Sequence, residues 1–141
     1  MSSGFYGSNR EYNPHGGTPD DLLEQIQNEF GELFDPCPND FQIDGLSIDW
    51  PLDMATFCNP PYTRGEITKW MKKVHDESLR GCQIILLIPN YSDTKAFHSY
   101  VYHSADEIRC IKGRLKFKGY GGKPASFPSI LCIYNKDVNL I

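Results

Sequence analysis

The sequence predicts an α/β fold. Stretches with apolar residues at helical spacing are interleaved with short apolar runs of strand length, and the last third of the chain is strand-rich. One of the runs, Gln83-Ile84-Ile85-Leu86-Leu87-Ile88, is apolar enough to be a central strand buried on both faces. With 141 residues the chain makes one domain with room for a core.

Residues 1–17 are rich in Gly, Ser and Asn and show no periodicity, so they are expected to form a flexible tail ahead of a folded domain over 18–141. Tyr6, Arg10 and Tyr12 within it suit either a contact with nucleic acid or a plain terminus. Thr18-Pro19-Asp20-Asp21 reads as a helix start, with a capping Thr, Pro at the first helical position and acids in the positive first turn. Leu22, Leu23, Ile26 and Phe30 fall on one face, and Gly31 is the expected terminator. Leu33-Phe34 then runs into Asp35-Pro36-Cys37-Pro38, an apolar entry that stops at proline. In an open α/β sheet an acid at a strand end lies at the edge where ligands bind, although Asp35 serves equally to cap a turn. Residues 39–53 read as loop, with turns at Asp44-Gly45 and Trp50-Pro51 and with Trp50 as a core anchor.

The apolar run Met54 to Cys58 leads into Asn59-Pro60-Pro61-Tyr62. Consecutive prolines have fixed φ and no N–H, so they hold neighbouring carbonyls in set directions without a competing donor. An amide oxygen, an outward carbonyl and an aromatic face together suit a planar, amino-bearing group such as adenine, cytosine or a carboxamide. If Asn59 and the Pro60 carbonyl accept both amino hydrogens, the nitrogen lone pair is freed to attack a methyl donor. Stacking on Tyr62, worth roughly 1–3 kcal/mol, offsets the cost of lifting a base from a duplex. A Pro-rich turn closing a strand is the plainer alternative.

A helix is expected from about Gly65 to Leu79, with Ile67, Trp70, Met71 and Val74 on its apolar face and Glu66, Lys69, Lys72, Lys73 and Glu77 on the other. After the central strand, Asp93 reads as a helix cap ahead of Phe97 and Val101, with a place on the pocket rim as the alternative. Strands are expected at Glu107 to Ile111, Leu115 to Phe117 and Phe127 to Tyr134. Lys112, Arg114, Lys116, Lys118 and Lys123 gather around Tyr120, a footprint for a phosphate backbone or a solvated hairpin.

The net charge of −4 does not advertise nucleic acid, so any DNA contact falls to that local patch. Five cysteines without a C-x-x-C pair, three of them (Cys58, Cys110, Cys132) in strand-like runs, read as buried free thiols in a reducing cytoplasm. No segment reaches about 18 apolar residues, and no basic and apolar leader opens the chain, so a soluble protein is expected. The histidines lack partners at metal-ligand spacing, and no hydrolase or phosphate-loop motif is present.

Taken in order, Thr18-Pro19, Asp35-Pro36-Cys37, Asp44-Gly45-Leu46, Trp50, Asn59-Pro60-Pro61-Tyr62, Ile88-Pro89 and Gly113-Arg114-Leu115-Lys116-Phe117 resemble the small phage-type DNA N6-adenine methyltransferases. The likeness covers roughly Thr18 to Tyr134. It implies an abbreviated Rossmann-like methyltransferase fold, a mixed sheet flanked by helices, and transfer of a methyl group from S-adenosyl-L-methionine to a flipped adenine in DNA. It further implies that Asn59, Pro60, Pro61 and Tyr62 form the catalytic pocket, and that Thr18, Pro19, Asp35, Pro36 and Cys37 lie beside the methyl donor. Lys112, Arg114, Lys116, Lys118, Tyr120 and Lys123 are the expected DNA contacts. The setting would be the cytoplasm of a bacterial or phage-infected cell.

Only 24 positions separate Asp35 from Asn59, too few for the usual two further βα units. The donor half is therefore expected to be abbreviated, with Asp44, Asp49 or Asp53 as the ribose acid. The same corner serves methylation of cytosine N4, RNA guanine and protein glutamine. A non-catalytic DNA-binding or host-interacting protein that keeps this fold is the remaining alternative.

Overall fold

The structure is a computed structural model that describes residues 17–38, 43–63, 65–138 and 140. Most of the tail expected over 1–17, with Tyr6, Arg10 and Tyr12, lies outside these residues. Gly17 does not: it is buried, and its carbonyl accepts the Lys118 N–H at 2.7 Å.

Among the described residues the chain builds a five-stranded mixed sheet flanked by helices, the expected α/β arrangement. In chain order the elements are helix α1 (Asp20–Phe30), strands β1 (Leu33–Phe34) and β2 (Ala55–Cys58), and helix α2 (Glu66–Leu79). Strand β3 (Ile84–Pro89) follows, then the short helix α3 (Lys95–Phe97), which continues as a wide turn over His98–Tyr102, and strands β4 (Glu107–Cys110) and β5 (Ser129–Tyr134). The strand order is β1-β2-β3-β5-β4. The first three strands are parallel, so all end at one edge, and β5 runs antiparallel between β3 and β4, which brings its amino end to that edge.

Every residue of β3 and β5 is buried, because helices or loops cover both faces of the sheet. A fully buried Leu or Ile contributes roughly 1.5–3 kcal/mol, which makes this strand pair the centre of the fold. On one face, Ile84, Leu86 and Ile88 pack with Trp70, Met71 and Val74 of α2, with Trp50, and with Phe97 and Val101. On the other, Ile85, Leu87, Leu131 and Ile133 pack with Ile26 of α1 and with Phe117 and Ala125. Arg109 of β4 ties α1 to the sheet by donating to both carboxylate oxygens of Glu29 at 2.7 Å and to Glu107 at 2.6 Å. Hydrogen bonds from Arg109 and then Lys136 hold the Glu107 carboxyl down at about 2.

Several local expectations are corrected. Leu115 to Phe117 is not a strand: Gly113 and Gly119, at φ +76° and +87°, bracket the segment and turn it out of any ladder. Its Leu115 and Phe117 cover the sheet face beside α1 instead. Glu77 lies on the packed face of α2, one turn beyond Val74, and not on the polar side. The cap of α3 is Thr94, whose hydroxyl accepts the Phe97 N–H, rather than Asp93. Cys110 is exposed on the edge strand β4, whereas Cys58 and Cys132 are buried. Burial pushes the Cys132 thiol up to about 12, so it stays neutral.

Candidate active site

Three loops meet at the carboxyl edge of the parallel strands: Asp35 to Pro38 after β1, Asn59 to Tyr62 after β2, and Asn90 to Tyr91 after β3. The Asn90 N–H donates to the Pro128 carbonyl at 2.8 Å, which joins the amino end of β5 to the same edge. This is where open α/β sheets bind ligands.

Asn59 is 4% exposed, and its carboxamide is held at both ends. Nδ2 donates to Thr18 Oγ1 at 3.1 Å, and Oδ1 lies 2.7 Å from the Tyr62 hydroxyl. Thr18 is fully buried and makes no cap on α1, where Pro19 is the capping residue. The Tyr62 hydroxyl also lies 3.0 Å from the Leu87 carbonyl. Its half-buried ring meets Phe127 and Phe117 edge-on, with centroids 5.6 and 6.2 Å away. Among the described residues no hydrogen bond reaches the Pro60 carbonyl oxygen.

On the β1 side, Asp35 Oδ1 accepts the Cys37 N–H at 2.9 Å, so the turn is closed by its own acid. The Cys37 thiol points at the Asn59 carbonyl oxygen, 3.9 Å away. Burial, then the neighbouring Cys37, raises the Cys58 thiol well above the ordinary range, so it is no nucleophile at neutral pH.

A cleft of about 540 Å³ opens beside this turn, walled by Pro36, Cys37, Leu46, Pro61 and Trp70 and carrying the carboxylates of Asp44 and Glu66. Its size falls in the roughly 300–1,000 Å³ range of small-molecule sites. Of the three acids considered for a ribose, Asp44 alone lines it, and Asp49 and Asp53 are exposed elsewhere. The wall depends on Gly45. A Cβ there would sit 1.8 Å from the Pro36 carbonyl oxygen, and the Gly45 carbonyl accepts Trp50 Nε1–H at 2.8 Å. The sequence by itself places Glu66 and Trp70 only on the faces of a helix. The usable signal was that a helix starting just after the corner must bring its first turn to the same edge.

The basic residues Lys112, Arg114, Lys116, Lys118 and Lys123 are all exposed on the loop that leads to β5. Lys118 pairs with Asp20, and Tyr120 is half-buried against the sheet face. Phe117, in contact with Tyr62, links this loop to the corner. The lysines of α2 are instead engaged with carboxylates, Lys69 with Glu66 and Lys72 with Asp76.

A family model described as DNA N-6-adenine-methyltransferase (Dam) matches residues 15–133, which takes in the corner, the Asp35 turn, the cleft and the basic loop. The chain belongs to this family. No curated protein matches the chain. As a Dam family member it is a DNA adenine methyltransferase in general terms, with DNA as the substrate. Among the described residues no helix is long and apolar enough to cross a membrane.

Proposed function

We propose that this Dam family chain methylates the N6 amino group of an adenine flipped out of DNA, using S-adenosyl-L-methionine, with residues 18–141 as a minimal catalytic domain. The observation that carries this reading is the buried, doubly held carboxamide of Asn59 beside an acidic cleft at the carboxyl edge of the sheet.

The donor set fits the cofactor. Apolar walls at Pro36, Leu46 and Trp70 suit an adenosine, and Asp44 and Glu66, with Asp35 in the adjoining turn but outside the lining, complement a molecule that carries a sulfonium and an ammonium. Asp44 takes the ribose role and Pro36 and Cys37 border the donor, whereas Pro19 and the fully buried Thr18, both expected beside it, do not line the cleft. When bound, S-adenosyl-L-methionine supplies an electrophilic methyl on sulfur, and the sulfur keeps the bonding pair as the N–C bond forms.

The protein supplies acceptors and no base. Asn59 Oδ1 and the Pro60 carbonyl take the two N6 hydrogens and favour a pyramidal nitrogen with its lone pair exposed. Pro61 keeps that corner rigid, and one amino proton passes to solvent after transfer. Tyr62, released from Asn59, stacks on the base. Mass spectrometry of nucleosides from DNA incubated with protein and methyl-labelled donor is expected to place the label in N6-methyladenine. Label in N4-methylcytosine, or no label together with no calorimetric binding of S-adenosyl-L-methionine, would overturn the reading.

DNA is held by Lys112, Arg114, Lys116, Lys118, Tyr120 and Lys123. Each phosphate contact adds about 0.9 to the slope of log K against log salt, so alanine at both Lys116 and Lys118 is expected to flatten it by about 1–2. Fluorescence anisotropy of labelled duplexes over a salt series reads this directly. An unchanged slope moves the DNA surface elsewhere.

A further inference from the structure

We propose that Tyr91 fills the gap that an adenine leaves in the DNA stack when it turns out into the corner, and so holds the duplex open. The inference rests on the reading of the corner as the pocket for a flipped base.

A base lifted from a duplex leaves its neighbours and its partner thymine unstacked, a cost that an inserted apolar or aromatic side chain offsets. Such a side chain has to be exposed, planar, free of other ties, and carried on a stiff main chain close to the pocket. Among the described residues seven large apolar side chains are exposed. Leu52, Leu79, Tyr102, Ile108 and Val138 lie in segments that enter or leave the opposite edge of the sheet, or on its outer strand. Ile43 lines the cleft. Tyr91 remains: it is 38% exposed, follows the end of β3 at the same edge as the corner, and does not line the cleft.

The main chain of Tyr91 is braced. Its N–H donates to the Pro89 carbonyl at 2.8 Å, and its carbonyl accepts the N–H and the hydroxyl of Thr94 at 3.0 and 2.8 Å. Its side chain, by contrast, makes no hydrogen bond or ring contact among the described residues. The neighbouring Asn90 N–H donates to the Pro128 carbonyl at 2.8 Å, and the ring of Phe127, just before it, meets Tyr62 at 5.6 Å. From β3, the Leu87 carbonyl lies 3.0 Å from the Tyr62 hydroxyl, and the chain from Leu87 to Tyr91 spans at most about 14 Å. Tyr91 therefore stands beside the pocket. A filler must stand there, because a flipped base stays tied to the strand it left.

Charge separates this turn from the basic loop. Asn90 to Thr94 carries the acid Asp93 and no cation, with Lys95 following, whereas the loop over 112–123 gathers Lys112, Arg114, Lys116, Lys118 and Lys123. The loop suits phosphates. The turn lacks the charge to hold a backbone, so the contact it suits is with the bases.

The test measures binding first, without donor or methyl transfer. Fluorescence anisotropy compares a labelled duplex carrying one central abasic site opposite thymine with the same duplex carrying an A·T pair there. Wild type, Tyr91→Phe and Tyr91→Trp are expected to prefer the abasic duplex about tenfold. Tyr91→Ala is expected to lose that preference while its affinity for the intact duplex stays within about twofold. No preference in wild type, or an equal preference in Tyr91→Ala, would overturn the proposal.

In steady state, Tyr91→Ala is expected to lower kcat/KM for DNA about tenfold, with donor KM within about twofold and activity restored by Phe or Trp. A raised donor KM with unchanged kcat/KM for DNA would make Tyr91 a donor contact instead and also overturn it. A wild type that prefers the abasic duplex through Tyr91 yet labels no DNA would sink the functional reading and leave the filling role standing.

Discussion

Asn59→Ala is expected to lower methyl transfer by more than about 10³-fold while leaving donor binding and the fold in place. The size follows from what the side chain does. A single pre-positioned group stabilising charge at a reacting centre is commonly worth about 10²–10³ in kcat. In the proposed mechanism the same oxygen also selects the base orientation. Donor affinity is expected within about twofold of wild type, because the cleft is walled by Pro36, Cys37, Leu46, Pro61 and Trp70 and Asn59 is not among its lining residues. The fold survives because the Tyr62 hydroxyl keeps the Leu87 carbonyl as acceptor, 3.0 Å away. Three measurements check this: label transfer to DNA, calorimetric titration with S-adenosyl-L-methionine, and thermal unfolding. Wild-type methylation by the variant would show that Asn59 is not the acceptor.

Most of the fold was legible because it is written locally. The central run at Gln83 to Ile88 is bounded by Gly81 and Pro89 and became the fully buried β3. Gly31 ends α1 at φ +83°, as its position after the last apolar residue indicated. The corner at Asn59 could be placed after a strand and before a helix, and Cys58 and Glu66 bound it so.

The failures share a different cause. Thr18 has the sequence signature of a cap, but its hydroxyl is used by a residue 41 positions away. Gly45 looked like a turn glycine, and its real constraint is the backbone of Pro36 packed against it. The cleft likewise joins Asp44 and Leu46 to Glu66 and Trp70, segments that only the folded sheet brings together. Glu77 was the most readable of the misses. The series Ile67, Trp70, Met71 and Val74 continues to 77 on a helix, and the spacing outweighs the charge.

That buried carboxylate carries the largest expected effect on stability. Glu77 is 3% exposed and accepts the Trp50 N–H at 2.8 Å, with Lys73 at 3.1 Å and the Arg80 guanidinium also against it. It thereby anchors Trp50, and through Trp50 the Gly45 wall of the cleft. Burial pushes its pKa up, but the Trp50 N–H, Lys73 and Arg80 outweigh burial and leave it below the ordinary carboxylate value of 4.5. A depressed folded pKa means that Glu77 stabilises the protein above its unfolded pKa and loses this effect as the pH falls through the folded one.

Glu77→Ala leaves the buried Trp50 N–H without its acceptor and takes the counter-charge from Arg80 and from Lys73, which keeps the Ile48 carbonyl at 2.7 Å. The loss is about 3 kcal/mol, which lowers Tm by about 10 °C in a domain of this size. Glu77→Gln keeps an oxygen for Trp50 but no charge, so it is expected to fall between the two at pH 7. Below pH 4.5, wild type is expected to lose stability toward the level of Glu77→Gln, and their melting curves converge. Thermal unfolding of the three proteins from pH 7 to pH 3 measures this. A gap between wild type and Glu77→Gln that widened in acid would mean that the carboxylate is not held ionised by these partners.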